Sequence, residues 1–386
     1  MKTRRKRTLA ILGIIACVLL ATYGVYVFKT GGLPAPKGKA TFDGQSSELK
    51  HTQIVATLDE PIERGRNAVW CASFQCAWKA LQKDLAGEPI SLEGSGRVAT
   101  SLNNAPDPRP NIPEPVLYVA AGWKQKGVID RIRRELRQRF PSKKPPTFPG
   151  IAENSFVAYS YLEASVKFSV PYFQNRKPME FVDSSGNKTR INSFGIRPED
   201  DYAYYKLRAQ PRILFRKGNP RDEDLEFAMD LCASSSPSQI VVARIGWQPA
   251  LASALERIEN EVAKLEELKK KQPDYATYLE KIGPNDVLLV PDIFWRISHR
   301  FSELEGKAFR NRKLKGQRLD VAQQDIAFRL DRSGAELRSE SKVYYLPIPT
   351  YFVLDRPFLV YMKKRDADVP YFVMWIDNAE LLQNWR

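Results

Sequence analysis

Twenty consecutive residues without a charge, Leu9–Phe28, stand directly behind a basic cluster of Lys2, Arg4, Arg5, Lys6 and Arg7. At about 1.5 Å per helical residue such a run spans roughly 30 Å, the thickness of a bilayer's hydrocarbon core. The positive flank predicts that the N-terminus stays in the cytoplasm and that everything after residue 28 lies outside it, periplasmic or extracellular. The expected organisation is a basic tail over 1–7, a transmembrane signal anchor over 8–28, a linker over 29–60 and a folded domain over 61–386. A cleaved signal peptide, leaving a secreted chain, is one alternative, although its apolar region is normally shorter and ends at a small-x-small site. A lipoprotein signal is another, because "IIAC" around Cys17 resembles a cleavage box, but apolar sequence continues beyond the cysteine.

With 43% hydrophobic and 27% charged residues among 386, the remainder suits a domain with a sizeable core. Net charge is +15, of which the N-terminal cluster supplies five, so the domain itself is basic and favours anionic polymers or lipid surfaces as partners. Two runs carry that expectation: the segment Lys124–Lys144 with Arg131, Arg133, Arg134, Arg137 and Arg139, and "RNRKLKGQR" with Arg310, Arg312 and Lys313. A solvated helix face and a charged loop are the plainer alternative. Aromatic residues are not interleaved with these cations, so nucleic acid is not an expected partner.

The residue types needed for catalysis are sparse. The two histidines, His51 and His299, lack a local acid or nucleophile that would make either a general base. No cluster of His, Cys or carboxylates has metal-ligand spacing, so neither a metal nor a cofactor is expected. Cys71 and Cys76 are five residues apart, poor spacing for a helical bridge; with Cys232 they leave an odd number in an oxidising compartment. These features argue against an enzyme.

Along the chain, "NAVWCASFQCAWKALQKDLAG" reads as a buried helix ending at Gly87, with Phe74, Ala77, Trp78 and Leu81 on its apolar face. "NNAPDPRPNIPEP" reads as a loop. Val128, Ile132, Leu136 and Phe140 predict an amphipathic helix, and Leu251, Leu255, Ile258, Val262 and Leu265 a second, longer one. "SFVAYSYLEASVKFSV" predicts a long strand, "MEFVDSSGNKTRINSFGI" a hairpin turning at "SSGN", and "QIVVARI" a buried strand. "NDVLLVPDIFWRIS" predicts a strand pair or one bent strand, "VAQQDIAFRLD" a strand, and "FVLDRPFLVYM" with "PYFVMWI" a closing hairpin. The expected fold class is α+β, with large, mainly antiparallel sheets surrounded by helices.

Between the last two strand regions lies "RSGAELRSESK". From Ala335 the chain alternates: Ala335, Leu337, Ser339 and Ser341 are uncharged, and Glu336, Arg338, Glu340 and Lys342 are charged. A period of two is that of a strand with one buried face. The prolines of "YYLPIPT" then interrupt any continuing ladder.

The order of these segments resembles the serpin family. "DIAFRLDRSGAELRSESK" is similar to a serpin strand followed by its acidic-Gly hinge. "YFVLDRPFLVYM" resembles the strand ending Asp-x-Pro-Phe-Leu-Phe, and "YFVMWI" stands in place of the usual final strand. "SFVAYSYLEASVKFSVPYF" is similar to the long central strand, "NDVLLVPDIFWRISHRF" to the strand with a Leu-Pro-x-Phe core, and "NAVWCASFQCAWKAL" to the buried first helix. The resemblance covers roughly residues 61–386. It implies three sheets ringed by helices and an exposed reactive-loop-like segment able to insert into the largest sheet. The hinge would comprise Gly334, Ala335, Glu336, Leu337, Ser339 and Ser341. The candidate reactive bond would fall among Tyr345, Leu346, Ile348 and Pro349. The main-sheet polar cluster would fall on Cys71, Ser160 and Gln324, where serine, asparagine and histidine are usual. What this implies is an anchored, extracytoplasmic binding or structural module. The alternative is an inhibitor whose partner is a serine or cysteine protease.

Overall fold

The computed structural model describes residues 40–94, 96–141, 146–148, 151–153, 155–198, 203–220, 224–332 and 349–385. The apolar run Leu9–Phe28 and the segment from Gly334 to Ile348, with every hinge residue named above, lie outside the described residues. Among those described, no helix is long and apolar enough to cross a membrane.

In chain order the strands begin with β1 (Phe42–Gln45), β2 (Thr52–Ile54) and β3 (Asn67–Cys71). Helices α1 (Ala72–Ala80) and α2 (Arg97–Asn104), β4 (Leu117–Trp123), α3 (Val128–Arg139) and β5 (Phe156–Leu162) follow. Next come β6 (Phe173–Gln174), β7 (Met179–Val182), β8 (Lys188–Ile191), β9 (Ser193–Ile196), α4 (Ala203–Arg208), β10 (Arg212–Lys217), β11 (Glu226–Asp230) and β12 (Ser238–Arg244). The remaining elements are α5 (Leu251–Lys271), α6 (Pro273–Leu279), β13 (Val287–Pro291), β14 (Ile293–Arg300), β15 (Lys307–Ala308), β16 (Arg318–Leu319), β17 (Gln323–Leu330), β18 (Tyr351–Val353), β19 (Phe358–Lys364) and β20 (Phe372–Ile376).

The largest sheet runs β10-β11-β12-β19-β20-β3-β2. Its middle strands are apolar on both faces: every residue of β12, β20 and β3 is buried. A strand buried on both sides needs no alternation, which is why "QIVVARI" and "YFVMWI" read as continuous apolar runs. Helix α5 packs against β10 and β20. Only its N-terminal half is sunk, through Leu251, Ala254, Leu255 and Ile258, while Val262 and Leu265 are only partly covered. A four-stranded sheet, β18-β13-β9-β6, joins the same core. There Gly195 has a structural reason, because a Cβ would meet the Leu288 carbonyl oxygen of β13 at 1.8 Å.

The third layer is divided. β1, β14 and β17 form one sheet, and β4 and β5 form a separate antiparallel pair. β17 alternates strictly from Gln324 to Phe328, with Gln324, Ile326, Phe328 and Leu330 buried. A single residue, Asp292, carries the chain from β13 in the four-stranded sheet to β14 in this one. "NDVLLVPDIFWRIS" is therefore two strands in two sheets.

Several local expectations differ from what is observed. Residues 40–60, read as linker, supply β1, which runs parallel to β14, and β2, which runs parallel to β3. Short polar strands held by backbone bonds leave little hydrophobic pattern. "NAVWC" opens the expected helix but forms β3, since Val69 and Trp70 satisfy either period; the helix begins at Ala72 and closes through a wide turn at Gly87, whose φ is 75°. The expected long strand stops at Leu162, and residues 163–170 run outside any ladder. The helix of Val128–Arg139 and the hairpin of β7 and β8 around "SSGN" form as read; β19 pairs with β20, but "FVLDRPFLVYM" is broken at 354–357, and its start is β18 in the four-stranded sheet.

Candidate functional site

No ladder among the described residues joins β5 to β17. β5 pairs on one edge with β4, from Leu117 opposite Leu162 to Trp123 opposite Phe156. β17 pairs on one edge with β14, from Ile293 opposite Leu330 to Arg300 opposite Gln323. Among the described residues the other edges of both strands have no strand partner, and they bound a cleft. Buried backbone donors and acceptors need partners, so an unfilled edge is a template for an added strand.

Helix α1 underlies this cleft. Phe74, Ala77, Trp78 and Leu81, with Phe156 and Ala158 of β5, line a cavity of about 400 Å³. A second cavity of about 530 Å³ lies between Leu162 and Ala164 on one side and Ile326, Ala327 and Phe328 on the other. Ser73, Tyr161 and Asp325 line both cavities.

Ser73, in the first turn of α1, ties the two halves of the divided layer together. Its carbonyl oxygen accepts a close hydrogen bond from the Ser160 hydroxyl of β5. Its hydroxyl accepts from Gln324 Nε2 of β17 at 2.8 Å, and the same nitrogen donates to the Cys71 carbonyl at 2.9 Å. Cys71 Sγ lies 3.5 Å from Ser73 Oγ. The three positions Cys71, Ser160 and Gln324 are thus brought into one cluster. Ser73, the residue through which they meet, was not singled out from the sequence; its one signal is a hydroxyl residue between Ala72 and Phe74 at the start of the helix. Burial pushes the Cys71 and Cys76 thiols up, so both are neutral and inert, and neither is bridged.

Asp292 immediately precedes β14, and His299 lies near its C-terminal end. Asp292 Oδ2 accepts from Gln174 Nε2 at 2.6 Å, while Oδ1 is buried with no partner. Burial holds this carboxyl up at about 6; Asp331 adds to the rise, and Gln174, Arg332 and Arg329 oppose it. Burial pushes His299 down to about 4. Its Nδ1 is 2.7 Å from Ser46 Oγ, and its ring stands edge-on to Phe301. With Asp43–Arg296 at 3.1 Å, this contact seats β1 on β14. At the root of the segment leading to Gly334, Arg332 Nε donates to the Tyr172 carbonyl at 2.9 Å. Pro349, at its far end, is partly buried.

The basic residues fall on two faces. Helix α3 packs on β4 and β5 through Val128, Ile132 and Leu136. Arg131 donates to the Ala121 carbonyl, Arg137 to that of Arg133, and Arg139 to those of Glu114 and Leu117. Arg133 and Arg134 meet Asp130 and Glu135 only at 3.8 and 4.0 Å. Arg310, Arg312 and Lys313 are exposed on a turn anchored by Asn311, which reaches Glu88, Pro89 and Ser91. Among the described residues no group of His, Cys, Asp or Glu is arranged to hold a metal ion.

Three solved proteins share a similar arrangement. Protease nexin-1 with heparin is 9% identical, at a TM-score of 0.44 over 80% of this chain and 97% of that one. Mouse protein-Z dependent protease inhibitor is 10% identical, at 0.45 over 81% and 91%. Thyroxine-binding globulin in complex with thyroxine is 12% identical, at 0.43 over 81% and 92%. At these identities and scores the likeness decides neither family nor activity. No family model matches the chain, and no curated protein matches it.

Proposed function

We propose that this chain is a serpin-like binding module and not an enzyme, held outside the cytoplasm by the run Leu9–Phe28. Its working element is the cleft between β5 and β17, which takes up an extended segment as an added strand. The observation that carries this reading is the pair of strand edges that have no strand partner among the described residues, linked through Ser73 on the helix beneath. The alternating stretch Ala335–Lys342 is separated from β17 by four residues in sequence and has the composition such a strand needs, with uncharged residues alternating with charged ones. Added strands gain affinity from main-chain bonds and specificity from alternate side chains.

Protease inhibition is the second reading, favoured by the same alternation and by the serpin-like order of strands. Two residues weigh against it: Pro349 follows the candidate bond at Ile348, where proteases cleave poorly, and Leu337 is large for an inserting hinge. Incubation with a panel of serine and cysteine proteases, read on a denaturing gel, separates the two. Cleavage without a covalent complex is the expected result. A complex stable in SDS would replace the binding-module reading with the inhibitor. The exposed cations of α3 and of the Arg310–Lys313 turn are proposed as a weak polyanion contact, expected to release heparin by roughly 0.2 M salt.

A further inference from the structure

We propose that the cavity at the α1 end of the cleft is a binding site for a small, neutral aromatic molecule carrying one hydrogen-bond donor. Its volume, about 400 Å³, lies within the roughly 300–1,000 Å³ usual for ligand pockets. Its walls are Phe74, Trp78 and Leu81 from α1 and the turn after it, and Phe156 and Ala158 from β5. Empty space of this kind deprives apolar side chains of dispersion contacts that an aromatic body would supply.

The polar requirement comes from Gln324, which lines the cavity and is only 4% exposed. Its orientation is fixed chemically: the group facing the Cys71 carbonyl must be the amide nitrogen, because only that end donates. Oε1 is therefore the other end, and it is buried with no partner. A buried amide oxygen left unpaired is unfavourable, so a ligand that donates to it gains selectively. Two nearby donors are already committed: Ser160 Oγ to the Ser73 carbonyl, and Trp78 Nε1 to Asn103 Oδ1 at 2.9 Å. Arg300, at the cavity's edge, is neutralised by Glu305 at 2.6 Å, which removes one reason for an anionic ligand. The inference rests on the cavity and on Gln324 Oε1, not on a strand entering the cleft.

The test uses the full chain in lipid nanodiscs, with empty nanodiscs as blank. 2-Naphthol, which has a donor, is compared with 2-methoxynaphthalene, which has none, by energy transfer from tryptophan. Expected is saturable binding of the naphthol, at least about tenfold tighter than the ether. Ala158→Phe, which fills the cavity, should abolish it. Gln324→Leu should leave the two probes equal, and it provides an independent check if Ala158→Phe fails to fold. No saturable signal above blank, binding unchanged by Ala158→Phe, or a donor preference that survives Gln324→Leu would each overturn the proposal.

Discussion

The seven-stranded sheet and the divided layer built from β4–β5 and β1–β14–β17 are made by the same chain under opposite rules. In the first, the middle strands are buried on both faces and bonded on both edges. In the second, β5 and β17 each present one edge to a cleft and are linked through Ser73. The apolar content of "QIVVARI" or "YFVMWI" is enough to build a closed sheet. The alternation of "QQDIAFRL" buries one face and leaves the edge to be decided by whatever comes beside it.

The sharpest way to break this comparison is to truncate one large side chain in each layer. Trp375→Ala, in the fully buried β20, is expected to lower stability by about 4 kcal/mol in denaturant unfolding. Phe156→Ala, half-buried on the cleft wall, should cost about 1 kcal/mol. Equal losses would show that the two layers are equally packed.

The next effect concerns Asp292, where the two sheets meet. Its folded-state pKa of about 6 is above the ordinary 3.8, so the native state holds the proton more tightly than the unfolded chain. Stability from this group is greatest below pH 3.8, declines as pH rises through about 6, and stays low above it. Asp292→Asn is expected to flatten that decline and to raise stability at pH 7.5 by up to about 3 kcal/mol. A variant with the wild-type pH slope would remove Asp292 from the account. His299 works in the opposite sense: its stability is present above pH 6.5 and is lost as pH falls through about 4, so His299→Asn isolates the acid limb.

Smaller again is Ser73→Ala, which removes the hydroxyl that accepts from Gln324, at about 1 kcal/mol. Its signature is local: amide exchange should accelerate in β5 and β17 and stay unchanged in β12 and β19. Smallest is the triple change of Arg310, Arg312 and Lys313 to Ala. Stability should move by less than about 0.5 kcal/mol, while the salt needed to elute the protein from heparin falls.

Much of this was legible from periodicity. The four-residue spacing of Val128, Ile132 and Leu136 specifies α3, and the alternation of "QQDIAFRL" specifies β17. Two kinds of element escaped. β1 and β2 are short and polar, and they exist because β14 and β3 offer them edges, which no local pattern announces. β3 escaped because a strand buried on both sides looks like a buried helix. In the site, Cys71, Ser160 and Gln324 were located through the serpin resemblance. Ser73 and Asp292 matter for what surrounds them after folding: a hydroxyl reaching between two strand edges, and a carboxylate carried inside between two apolar strands.

The central claim is that the cleft between β5 and β17 is an unfilled strand position. It is tested most directly by amide hydrogen exchange on the full chain with and without a synthetic peptide of sequence GAELRSESK, which copies Gly334–Lys342. The account predicts new protection confined to β5 and β17, with β12, β19 and β20 unchanged. Exchange in β5 and β17 that stays the same at saturating peptide, or protection spread evenly over both layers, would contradict it.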